Sequence, residues 1–129
     1  MVESLKYYSI DTSEKLIVSM HNDFATARYR LALNEHKLLY LLMAQKKADH
    51  MRFFPYEITS KDWANFLAVS LPTANITMKR LAKSFGTKTI SLDNSKYWGI
   101  TEVPFVEFIK YDRGILRVKL NDQLAPFIA

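Results

Sequence analysis

The stretch "SLPTANITMKRLAKSFGTK", Ser70 to Lys88, decides how the rest of the chain is read. Ala74, Met78, Leu81, Ala82 and Phe85 recur at the spacing that lines one side of an α-helix with apolar side chains. Ser70 or Leu71 is placed to cap that helix, Pro72 falls in the first turn, where an N–H is not needed, and Gly86 stands where a left-handed C-cap would close it. Thr73, Ile76, Thr77, Arg80 and Ser84 fall roughly opposite the apolar stripe, with Asn75, Lys79 and Lys83 on its flanks. No carboxylate stands between Asp62 and Asp93, whereas Lys79, Arg80, Lys83 and Lys88 all do. A helix anchored by one face and cationic on the other suits a polyanion.

Upstream, "KDWANFLAV" (61–69) puts Trp63, Phe66 and Leu67 on one face of a shorter helix ending near Val69, with Ser60 as its expected cap. "YEIT" (56–59) before it reads as a short strand. Further back, Asn34 is the expected cap of a helix over "EHKLLYLLMAQKK", whose centre from Leu38 to Met43 is almost wholly apolar and should be buried. "KLIVSM" (15–20) reads as a strand, and "HNDFATARYRLAL" as one helical turn followed by an extended piece. Residues 1–14 are polar enough to form a flexible arm, leaving 15–129 as the folded domain.

Downstream, "KTISL" (88–92) is a strand and "DNSKYWG" a polar loop, followed by two apolar-rich runs around Tyr111-Asp112-Arg113-Gly114. A type I turn at Asp112-Arg113 with Gly114 left-handed makes a three-residue hairpin. That turn sets Tyr111 opposite Ile115, Phe108 opposite Val118, Glu107 opposite Lys119 and Val106 opposite Leu120. The order of strand, helix, strand, helix, tight turn, helix and hairpin is that of an α+β winged helix. Its second and third helices form a helix-turn-helix, and its last hairpin is the wing. The third helix then offers its polar face to the major groove of double-stranded DNA.

At 129 residues and 49% hydrophobic, the chain suits one domain with a full core. Its formal charge of +5 permits a nucleic-acid partner without demanding one. The lack of cysteine excludes disulfides, thiolate metal sites and cysteine catalysis. His21, His36 and His50 have no metal-ligand spacing, and "SFGTKT" lacks the spacing of a phosphate-binding loop, so no metal, cofactor, small-molecule substrate or catalytic residue is expected. Tyr97, Tyr111 and the other tyrosines lack the paired histidines of a DNA-nicking site and read as packing aromatics, as do Trp63 and Trp98. No leader or membrane-spanning run is evident, which points to the cytoplasm.

Four segments also resemble a known family. They are "LIVSMHNDFATARYRLALNEHKLLYLLMAQ" (16–45), "YEITSKDWANFLAVS" (56–70), "LAKSFGTKTI" (81–90) and "GILRVKLNDQLAPFI" (114–128). In order and spacing they are similar to the first of the two tandem winged helices in replication initiators of theta-replicating plasmids. The chain stops at Ala129, where the second would begin, which makes it look like an isolated N-terminal domain. The resemblance implies monomers on directly repeated origin sequences and dimers that repress the initiator's own gene. It also implies that this domain supplies the homodimer interface and supporting contacts to DNA. Carried over residue by residue, Lys79, Arg80 and Lys83 become phosphate contacts, with Thr73, Asn75 and Thr77 as neighbours and Lys88 beyond the helix end. A rival reading keeps the fold and makes the chain a protein-interaction module or repressor domain without direct DNA contact.

Overall fold

The computed structural model describes residues 6–10, 12, 31–45, 52–94 and 99–127. The elements are β1 (Tyr8–Ser9), α1 (Leu33–Gln45), β2 (Tyr56–Thr59), α2 (Ser60–Leu67), α3 (Leu71–Ser84), β3 (Thr89–Asn94), β4 (Gly99–Pro104), β5 (Val106–Asp112) and β6 (Ile115–Leu120). Short 3-10 turns cover Phe85–Thr87 and Asp122–Phe127. The strand read over Lys15–Met20 and the turn read after His21 lie outside the described residues, as does Trp98.

α1 begins at Leu33, one residue before the expected cap Asn34. The Ala32 N–H donates to Glu35 Oε1 at 2.7 Å, so the carboxylate at the third helical position reaches back to the amide just before the helix. Leu38, Leu41 and Leu42 are fully buried, but Tyr40 is 51% exposed, which leaves the helix one open edge. The second cap also moves by one residue: Thr59, not Ser60, accepts the Asp62 N–H through its side chain. α2 then stops at Leu67 because Ala68 turns left-handed, at φ 57°.

The helix that decides the fold is present over 71–84, with Ser70 as its cap, accepting the Thr73 N–H at 3.3 Å. Ala74, Met78 and Phe85 have no exposed surface and Leu81 only 2%. Burying the three larger of these side chains, Met78, Leu81 and Phe85, stabilises the fold by about 1.5–3 kcal/mol each. Gly86 is not a left-handed cap: it lies within the 3-10 turn and does not take positive φ. Its use is steric, since a Cβ there would stand 3.2 Å from Ile109 Cγ2 on β5.

β1, β2, β6 and β5 form a sheet in that order, with β1 parallel to β2 and the other pairs antiparallel. β1 lies within the stretch read as a flexible arm, yet it pairs Tyr8 with Tyr56 and Ser9 with Glu57, and Ile10 is buried. The arm expectation therefore does not describe these residues, whose apolar side chains have a sheet edge to cover. β2 pairing with β6 ties the strand before the helix-turn-helix to the wing. The run read as the wing's first strand is divided: Val103 and Pro104 close a separate β3–β4 hairpin, inserted between α3 and the wing. Phe105, fully buried and stacked on Phe85 at 5.6 Å, separates the two hairpins.

The wing register differs from the expected one. Arg113 and Gly114 both take positive φ, 49° and 80°, so the turn has two residues and pairs Asp112 with Ile115. Tyr111 thus lies opposite Leu116, and Phe108 opposite Lys119 rather than Val118. An irregularity between Val106 and Phe108 then absorbs one residue and returns Val106 to Leu120, as expected. The bulge is needed because Val106 and Ile109 are separated by an odd number of residues, which strict alternation would put on opposite faces. With it, both pack against the core. Glu107 still meets Lys119 through an ion pair.

Candidate nucleic-acid interface

The outward surface of α3 is set by what each flank of the helix touches. On one flank Thr77 accepts a hydrogen bond from the Trp63 indole N–H at 3.0 Å and donates to the Ala74 carbonyl at 2.8 Å. Ser84, on the same flank, donates to Glu35 Oε2 at 2.8 Å. These two positions were read as part of the polar face and are instead fastened to α2 and α1. On the other flank Asn75 accepts from the Tyr111 hydroxyl at 2.7 Å and donates to the Leu71 carbonyl at 3.2 Å. Lys79 stands over the Tyr111 ring at 5.8 Å.

Between the flanks Thr73, Ile76, Lys79, Arg80 and Lys83 are exposed. The Thr73 hydroxyl accepts from Ser70 Oγ at 2.9 Å within the cap. Neither Arg80 nor Lys83 has an ion-pair partner among the described residues. Lys88 lies beyond the helix, 3.8 Å from Glu35 and 38% exposed, so part of its charge is already answered. The seven positions named from sequence therefore separate into an outer group, Thr73, Lys79, Arg80 and Lys83, and three whose side chains hold the fold, Asn75, Thr77 and Lys88.

Arg80 and Lys83 also border a cleft of about 560 Å³ between α3 and the start of α1, where Leu33 and Asn34 form the opposite rim. Glu35 lies at its base, 2% exposed, and takes hydrogen bonds from Ala32 and Ser84. Its negative charge is met by these two donors and by Lys88 at 3.8 Å. Neither Glu35 nor Tyr111 stands out by local pattern. The one available signal was that Glu35 follows the helix start at the capping-box spacing.

The helix-turn-helix, the strand that precedes it and the wing paired to that strand are a winged helix, and a family model described as "Initiator Replication protein, WH1" matches residues 17–129. The chain belongs to this family. A search of curated proteins finds no match to it. The initiator WH1 assignment agrees with the resemblance to plasmid initiators and with the α+β architecture. Among the described residues of this WH1 domain, no group of three or more His, Cys, Asp or Glu is placed to hold a metal, and no helix is long and apolar enough to cross a membrane. The indole of Trp63 is fully buried, so it packs rather than stacks on bases.

Proposed function

We propose that this WH1 domain contributes auxiliary phosphate-backbone contacts to plasmid origin repeats or an operator in double-stranded DNA, through the outer surface of α3, and that it mediates homodimerisation in the cytoplasm. The observation that carries the reading is the pair Arg80 and Lys83, exposed on a buried-stripe helix with no acidic partner among the described residues. Lys79 extends that charge towards the wing and Thr73 adds a hydroxyl at the helix start. Asn75 and Thr77 hold the surface in place from its two flanks, and Lys88 adds a partly neutralised cation beyond it. The chemistry is binding: cations release counterions from phosphate, and the family assignment supplies the role in initiation.

Three phosphate contacts give a log-log dependence of affinity on salt with a slope of about −3. Arg80→Ala with Lys83→Ala should reduce its magnitude by about 1.8. Fluorescence anisotropy with labelled duplex across a salt series measures it, and an unchanged slope removes α3 from the DNA model. Sedimentation of the same protein with and without duplex separates the rival interaction module, which would self-associate and ignore DNA.

A further inference from the structure

The cleft between α3 and the start of α1 has a wall whose hydroxyls are already engaged. Thr77 Oγ1 is held between the Trp63 indole and the Ala74 carbonyl, and Ser84 Oγ donates to Glu35. Glu35 at the base takes the Ala32 amide as well and lies 3.8 Å from Lys88. The rest of the wall is apolar surface from Ala32, Leu33 and Leu81, with Asn34, Arg80 and Lys83 at the rim. Leu33 is 68% exposed, and Tyr40, further along α1, is 51% exposed. Their separation in sequence is close to two whole helical turns, so both stand on one side of α1, about 10 Å apart along its axis.

Charge and polarity are layered in this cleft. A carboxylate brought to the base would meet the like charge of Glu35, whereas one at the rim meets Arg80 and Lys83. Neither cation has an ion-pair partner among the described residues. The complementary occupant is therefore apolar where it enters and acidic where it emerges. Duplex DNA meets half of that description, since its backbone carries the charge but no aliphatic side chain. A small anion could fill the cleft without reaching Tyr40. A helix does both, because its side chains at i and i+7 recur at the spacing that separates Leu33 from Tyr40.

We infer that the cleft between α1 and α3 docks an acidic amphipathic helix of a partner protein. One apolar side chain of that helix enters between Leu33 and Leu81, a second rests by Tyr40, and flanking carboxylates pair with Arg80 and Lys83. This is a protein-interaction surface and stands apart from the proposed contacts to DNA. Its consequence for regulation does rest on them: Arg80 and Lys83 serve both ligands, so the partner and DNA exclude each other.

The probe is a labelled synthetic helix with leucines at i and i+7 among glutamates, and its control carries alanine at both leucine positions with the same charge. Fluorescence anisotropy at about 50 mM salt should show the wild-type chain binding the probe. The control, and the probe on Leu33→Ser, should each bind about ten-fold more weakly. Leu33→Ser should keep the DNA salt slope of wild type, and unlabelled duplex should displace the probe from wild type. Backbone NMR shifts on adding the probe to wild type should centre on 32–35 and 80–84 and spare the wing, a readout that needs no variant. No binding, equal binding of probe and control, or shifts elsewhere overturns the inference. A lower DNA affinity in Leu33→Ser assigns the cleft to DNA and overturns it as well, and a ternary complex overturns the exclusion. If Arg80→Ala with Lys83→Ala loses the probe but keeps the DNA salt slope, the DNA reading falls and the docking site stands.

Discussion

Ser84 Oγ donates a 2.8 Å hydrogen bond to the carboxylate of Glu35, joining the end of α3 to the first turn of α1 across 49 residues of chain. Among the described residues Glu35 is the buried charged residue, and it is answered from three directions, by the Ala32 amide, the Ser84 hydroxyl and the Lys88 ammonium. The orientation of the outer α3 surface depends in part on this carboxylate.

Glu35→Ala should therefore destabilise the domain by about 2–3 kcal/mol, since hydrogen bonds to a charged group are the stronger kind and two donors lose their acceptor. The loss stays below the sum of the contacts because the variant no longer has to bury a charge. Urea unfolding measures the difference, and Glu35→Gln, which keeps one acceptor, should lose less than half as much. A stability equal to wild type in Glu35→Ala would show that α1 and α3 are held by apolar packing alone.

Thr77→Val separates fold from interface. Valine matches threonine in shape but leaves the fully buried Trp63 N–H without its acceptor, at a cost of about 1–3 kcal/mol. The DNA salt slope of the folded variant should equal that of wild type, because the hydroxyl faces α2. If the slope fell while thermal unfolding stayed where it was, Thr77 would belong to the binding surface instead.

Tyr56 provides a pH dependence of known sign. Burial, with a smaller contribution from Tyr8, holds its hydroxyl above the ordinary tyrosine value of 10.0. The unfolded chain releases that proton first, so the contribution is intact below pH about 10 and is lost as pH rises from there through the folded value. Stability curves for wild type and Tyr56→Phe should diverge least at neutral pH in slope and most above pH about 10, where only wild type keeps this alkaline component. Parallel curves throughout would mean that Tyr56 ionises equally in both states.

Much of this was legible from local order. The buried stripe from Ala74 to Phe85, the Ser70 cap and the strand at 56–59 follow from periodicity and capping chemistry, which act within a few residues. Val106 pairs with Leu120 as expected because the irregularity between Val106 and Phe108 offsets the one-residue change at the turn. The start of α1 lies two residues from its expected place, and that of α2 and the hairpin turn one residue, because Glu35, Thr59 and Arg113 take roles that neighbouring residues could also fill.

The amino-acid order by itself determined that a helix with one apolar and one cationic side would stand between a short helix and a hairpin, and the family resemblance followed from the same order. Only the tertiary structure decided which polar residues remain outward. Thr77, Ser84 and Asn75 have the side chains of a binding face, but their partners Trp63, Glu35 and Tyr111 come from other elements, 14, 49 and 36 residues away. Hydrogen bonds over such separations depend on how the elements pack, and helical periodicity carries no record of that packing.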